Sequence, residues 1–259
     1  MIFIHSFQSE WLKTRRSLAA WLVIIGGFFI PLIVLIGRLV YHDKAGAEIK
    51  APNYWEIIAG QCWQFMSLFL LPMGVILATS LITQIEFRNN AWKQVHASPQ
   101  GYDTVFLSKL SVILVMLFQF FLLFNLGIYF AGIAPAIVYA DIDYPAQAFP
   151  FGFFLKTSAY FFLDCLPIVA LQYWISLQFK NFLVPLGVGI GVLVASLIAM
   201  EWRYGFVVPY TYCPFNFFAM RGVNIAGAQN INIHWWAFGY FAAFTVGSYL
   251  TYILKEEKG

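Results

Sequence analysis

Six apolar stretches, each close to the length needed to cross a bilayer, leave this sequence few folds to adopt. A helix rises about 1.5 Å per residue, so roughly 20 apolar residues cross the ~30 Å hydrocarbon core. The stretches 17–37, 62–83, 110–131, 157–179, 182–200 and 233–254 come to that length. None alternates with the period of two that marks a membrane barrel, so helices are left to satisfy the backbone in lipid. The composition agrees, with 61% hydrophobic residues and only 10% charged ones, against about 25% charged in soluble domains. The expected fold class is all-α: a polytopic membrane protein whose six transmembrane helices form a single domain over 1–259.

Lys and Arg set the orientation, because basic residues collect on the cytoplasmic side. With six spans both termini share a side, and that side carries Lys13, Arg15, Arg16, Arg88, Lys93, Lys109, Lys180, Lys255 and Lys258. The opposite side carries Arg38, Lys44, Lys50, Lys156, Arg203 and Arg221 among several acids. The predicted localisation is the cell (inner) membrane, multi-pass, with both termini cytoplasmic. The first apolar run is too long and begins too late for a cleavable signal peptide. The three cysteines, Cys62, Cys165 and Cys213, form no CxxC pair; Cys62 and Cys213 fall near the outer face, where they either pair or stand as two unrelated buried thiols.

Before the first span, Ile4, Phe7 and Trp11 recur at helical spacing, with Phe3 and Leu12 beside them and basic residues after. That pattern predicts an interfacial helix over 3–16, its apolar face in the lipid and its basic end on anionic headgroups. Between the second and third spans, EFRNNAWKQVHASPQG continues the second span past the membrane surface. Ser98-Pro99 stops it, since proline drives the preceding residue out of helical geometry. Gln100-Gly101 turns the chain, and Asp103 or Thr104 is placed to cap the next helix. Lys180 and Asn181 join the fourth and fifth spans in a tight hairpin, whereas 201–232 is long, aromatic and proline-rich. It is too apolar for a free loop and is expected to pack as short interfacial or re-entrant pieces forming an outer cap.

Catalytic chemistry leaves no mark: there is no HExxH, no GxSxG and no Gly-Lys dipeptide from which a P-loop could be built. His5, His42, His96 and His234 all lie outside the middle of the apolar runs. Asp164 is the one acid within a span, about two turns from its outer end, where water or Lys156 would relieve it. Burying that charge costs at least ~2.5 kcal/mol, which marks Asp164 as either a relay group or a hydrogen-bonding packing residue. Gln61, Gln64 and Ser67 share one face of the second span, as interhelical hydrogen-bonding groups or as the lining of a pathway. Gly187, Gly191, Ala195 and Ala199 recur every fourth residue of the fifth span, a pattern suited to close helix contact within one subunit or between two.

Three stretches together resemble the permease subunits of type-2 ATP-binding-cassette exporters, in particular the small permeases of lantibiotic immunity and bacitracin resistance. They are SEWLKTRRS, IEFRNNAWKQVHASPQGYDTVFLSKL and LQYWISLQFKNFLVPLGVGIGV. Glu86, Asn90, Trp92, Lys93, Pro99 and Lys109 match an acid, an Asn-x-Trp-Lys core, a helix-breaking proline and a lysine entering the next span. The resemblance implies a cytoplasmic coupling helix within 85–104, with Glu86, Arg88, Asn90, Trp92, Lys93 and Pro99 meeting a separate cytoplasmic ATPase subunit. It implies a second permease subunit, identical or paralogous, with the second and fifth spans flanking the central path. Gln64, Ser67, Gly187, Gly191 and Ala195 are then pathway or dimer residues, and 201–232 is the outer gate region. This chain is expected to bind no cofactor or metal, ATP and Mg being held by the partner ATPase, and to contact membrane lipid but no nucleic acid. It is expected not to be an enzyme by itself, and its cargo to be amphipathic: a peptide antibiotic, a drug or a lipid-like molecule. The alternatives are a proton-coupled secondary transporter using Asp164 and a membrane-embedded scaffold.

Overall fold

A computed structural model describes residues 2–88, 101–223 and 231–256. Helices make up nearly all of it, and no strand occurs among the described residues. The chain forms α1 (Ile2–Thr14), α2 (Leu18–Val40), α3 (His42–Ile49), α4 (Tyr54–Phe65) and α5 (Leu71–Arg88). It continues through α6 (Tyr102–Val138), α7 (Phe151–Gln178), α8 (Leu183–Ala199), α9 (Tyr212–Met220) and α10 (Ile233–Glu256). Five stretches among the described residues are long and apolar enough to cross a membrane: Leu18–Val40, Tyr54–Ile85, Tyr102–Val138, Phe151–Gln178 and Ile233–Leu254. The sixth apolar helix, α8, has 17 residues, about 25 Å of rise and the lower limit for a span.

Several helices outrun the apolar stretches that signal them. α6 has 37 residues, about 55 Å, and so projects past a ~30 Å core. Its N-cap is Gly101, in extended geometry and with no side-chain cap bond. Asp103 instead sits in the first turn, where a carboxylate faces the positive end of the helix dipole. α4 and α5 are continuous through a π-helical turn, Met66–Leu70. Pro72 accounts for it: the residue has no N–H to donate, and its ring crowds the carbonyl four positions back, which a widened turn relieves.

Close helix pairing depends on glycine at a few points. α2 and α6 approach so nearly that a Cβ at Gly127 would lie 2.8 Å from Pro31 Cβ, and one at Gly27 would lie 3.0 Å from Leu123 Cβ. α7 and α10 close in the same way at Gly247, where a Cβ would meet the Trp174 ring at 2.9 Å. The core centres on Trp63 of α4, wholly buried and stacked on Phe161 of α7 at 3.8 Å, with Phe124 of α6 edge-on at 4.8 Å. Trp55, Phe120, Phe121 and Phe154 are buried on the same three helices.

α8 turns inward a set of residues next to its small-residue stripe. Pro185, Gly189, Leu193 and Ser196 are its buried residues, and a Cβ at Gly189 would come within 2.6 Å of Ile76 and 2.7 Å of Gln172 Oε1. Gly187, Gly191 and Ala195 are exposed, and a Cβ at Gly187 or Gly191 would meet nothing within 4 Å. Gly187, Gly191 and Ala195 therefore face open space within the subunit, whereas Ala199 at the end of the stripe lies against Gly205, and the glycine that a neighbour requires is Gly189, where Gln172 crosses.

After α8 the chain folds back through two 3-10 turns, Gly205–Val207 and Pro209–Thr211, into α9. Tyr210, Thr211, Tyr212, Cys213, Phe215 and Phe217 are all buried there, so this connection is part of the packed body. Asn232 Oδ1 accepts from the His234 and Trp235 amides to cap α10.

The two kinds of glycine separate in a stability measurement. Gly127→Val should destabilise the detergent-purified protein by about 1–3 kcal/mol, the range for overpacking a tight core, and lower its thermal midpoint. Gly191→Val, on the open face, should leave the midpoint of the isolated subunit within about 1 °C, since such surface changes stay near zero.

Candidate functional site

α1 docks through its polar side. Ser6, Glu10 and Thr14 recur every fourth residue, share one helix face and are all buried. Glu10 Oε2 accepts from Lys109 Nζ of α6 at 3.0 Å and Oε1 from Lys13 Nζ at 2.5 Å. Ser6 Oγ lies 3.0 Å from Ser108 Oγ, and Thr14 Oγ1 donates to the Glu10 carbonyl at 2.7 Å. The Glu10 and Lys109 side chains are only 7% and 3% exposed, so each is costly to bury without the other. Phe3, Ile4 and Leu12 point outward, while Phe7 and Trp11 pack on the core. An interfacial apolar side is thus present, but a polar stripe fixes the helix. Glu10 is a site residue that the sequence reading missed, although its spacing with Ser6 and Thr14 is a visible signal.

The expected coupling surface falls largely beyond view. Asn90, Trp92, Lys93 and Pro99 lie outside the described residues, as do the side chains of Glu86 and Arg88 on the last turn of α5. What the structure places is its frame: α5 ends at Arg88, and α6, which carries Lys109, begins at Tyr102.

Gln64 and Ser67 do not share an environment. Ser67 is wholly buried and lies in the π-helical turn, whereas Gln64 is exposed. Gln64 opens on a cavity of about 360 Å³ between α2, α3 and α4 that also presents Arg38, Lys44, Glu48 and Gln61. Arg38 is 5% exposed and donates to Glu48 Oε2 at 2.7 Å and to the Tyr54 hydroxyl at 3.0 Å. Tyr54 in turn donates to the Gly132 carbonyl of α6. This charged joint closes the end of the bundle opposite α1.

Asp164 is wholly buried, and both its carboxylate oxygens have partners. Asn216 Nδ2 of α9 donates to Oδ2 at 2.8 Å, and His234 Nδ1 of α10 lies 2.8 Å from Oδ1. Lys156, expected to relieve the charge, instead lies 5.8 Å from the Tyr160 ring, which itself stacks on His234 at 4.4 Å. The expected depth changes too: α7 begins at Phe151, so Asp164 is more than three turns inside the helix. The partners escaped the sequence reading because they stand 52 and 70 residues away. Cys213 lies against Cys165, its Sγ at 3.4 Å, and Cys62 is not its partner.

Between α6 and α7 runs an open groove of about 850 Å³, with Phe121 and Phe154 at its base and the exposed Phe118, Leu122, Phe151 and Leu155 along its rim. Its polar points are Asn125 and Ser158, joined at 2.7 Å. No cluster of three or more His, Cys, Asp or Glu suited to a metal ion occurs among the described residues.

A double-mutant cycle reads out the docking of α1. Glu10→Gln and Lys109→Met should each lower the unfolding free energy, by about 1–3 kcal/mol, because a buried charged hydrogen bond is lost while Glu10 keeps its bond from Lys13. The pair together should cost less than the sum by about 1–3 kcal/mol, the coupling of groups in direct contact.

Comparison with known families supplies what the geometry alone lacks. The model of the ABC-2 family transporter protein matches residues 6–196, from α1 through nearly all of α8. The chain has no match among curated proteins and none among solved structures. The match takes in the docked α1, the Lys109 end of α6 and the Asp164 helix. With well over half of its length matched, the chain belongs to the ABC-2 family of transporter proteins and is a membrane permease component of an ABC transporter.

Proposed function

We propose that this chain is the permease subunit of an ATP-driven exporter that expels an amphipathic molecule, a peptide antibiotic, a drug or a lipid-like compound. The resemblance to permeases of lantibiotic immunity and bacitracin resistance supports this reading. The observation that carries the reading is the match to the ABC-2 family over residues 6–196, and the buried Glu10–Lys109 pair supplies a mechanical link that fits it. Work done by an ATPase reaches a pathway only through parts in continuous physical contact, and this pair fixes α1 to the helix that follows the proposed coupling segment. Trp92 serves as its anchor, Arg88 and Lys93 as its polar contacts, with Glu86, Asn90 and Pro99 shaping the helix and its break. ATP and Mg are held by the partner ATPase.

In this reading the α1 end faces the cytoplasm, following the Lys and Arg distribution. Two permease subunits meet at or near the open Gly187, Gly191, Ala195 face of α8, since small residues with no neighbour of their own allow another helix to approach. Substrate class is supported by the aromatic groove between α6 and α7: about 850 Å³ with few polar points is the size and polarity of sites for drug-sized amphiphiles. In this reading Asp164, bonded by Asn216 and in contact with His234, joins α7 to α9 and α10.

The test is copurification in mild detergent, comparing wild type with Trp92→Ala/Lys93→Glu, followed by an ATPase assay. A nucleotide-binding subunit should accompany the wild-type chain with ATPase activity and fall at least tenfold with the double change. Absence of any ATPase from the crosslinked wild-type sample contradicts the proposal, as does equal retention by both proteins.

A further inference from the structure

We propose that Cys165 and Cys213 form a disulfide in the mature protein, a covalent staple between α7 and α9. Their sulfurs lie 3.4 Å apart, about 1.4 Å more than a disulfide requires. The register that brings them together is set independently of the sulfurs. Cys213 and Asn216 stand three apart on one face of α9, while Asp164 and Cys165 are consecutive on α7. The 2.8 Å bond from Asn216 to Asp164 therefore fixes the neighbouring pair in contact, and side-chain rotation is what remains for closure. Cys62 has no such neighbour: its sulfur makes no contact with another sulfur.

The compartment follows from the orientation proposed above, on which this inference rests: α9 belongs to the connection on the outer side, where disulfides persist. Both sulfurs are wholly buried, so the external oxidant reacts with the first Cys while α9 is still apart from α7, and the second step closes the bond as the Asn216–Asp164 contact seats the pair. The oxidant is an external disulfide. The first Cys thiolate attacks it, releasing one of its sulfurs as a thiol and leaving a mixed disulfide; the second Cys thiolate attacks that bond and releases the other. Two Cys protons end on the two released thiols, and the donor takes up the two electrons. The consequence is mechanical: α9, whose Asn216 covers Asp164, moves with α7 as one piece, so outer opening takes place elsewhere.

The full chain is taken from membranes directly into denaturant containing N-ethylmaleimide and digested without reductant. Mass spectrometry should find a peptide linking Cys165 to Cys213, with Cys62 as the maleimide adduct. Reductant should lower the thermal midpoint of the purified wild type by about 5 °C or more and leave that of Cys165→Ser unchanged. Recovery of Cys165 and Cys213 as separate maleimide adducts overturns the proposal. Incubating such a reduced sample with oxidised glutathione during refolding then locates the failure. Closure only there faults the orientation, and no closure faults the sulfur geometry; neither outcome bears on the ATPase partner, which the copurification tests separately.

Discussion

Removing a charge from water costs several kcal/mol unless a partner meets it, and the helices of this chain join where that cost is met. Glu10 with Lys109, and Asp164 with Asn216 and His234, connect segments distant in sequence, and Arg38, bonded to nearby Glu48 and Tyr54, reaches α6 through the bond from Tyr54 to the Gly132 carbonyl. In lipid, burying apolar surface gives little reason for one helix to prefer another, so close packing and polar contacts select the arrangement. The glycine contacts of α2 with α6 and α7 with α10 supply the first. The buried charges supply the second, one at each end of the α2–α6 pair and one at the junction of α7, α9 and α10.

This arrangement divides the bundle into parts held by different contacts. α1 is fixed to the start of α6, and α9 and the start of α10 are fixed to α7 around Asp164. α8 is short and presents an open small-residue face. Its internal contacts run through Gly189 to Ile76 and Gln172, and Gln172 also donates to the Pro185 carbonyl and to Ser80. A permease needs rigid parts to carry force and an adaptable surface to open along, and the buried charges lie on the rigid parts.

The fold class was legible because hydrocarbon imposes it: apolar length and the missing period of two leave helices as the sole solution. Helix ends were less legible, since α6 and α7 extend well beyond their apolar runs on polar and aromatic residues. Periodicity showed that small residues line α8, but not which of two adjacent stripes would meet a neighbour, because that is decided by Gln172 on another helix. The π-helical turn before Pro72 separated Ser67 from Gln64, a shift that no regular spacing anticipates. Asp164 was conspicuous as a lone acid, yet its partners are visible only once α9 folds back. The candidate site was therefore readable as residues that must be explained, and the structure supplied their pairings.

The central claim is that α1 and α6 move as one body when the partner ATPase turns over. Spin labels at Gln8 and Leu107, both exposed, report the distance within that body, and labels at Gln8 and Leu183 report its distance to α8. In the complex with its ATPase, adding ATP should leave the Gln8 to Leu107 distribution unchanged while the Gln8 to Leu183 distribution shifts. A shift of several ångströms between Gln8 and Leu107 would contradict the account, because α1 would then be moving independently of the helix to which its buried ion pair ties it.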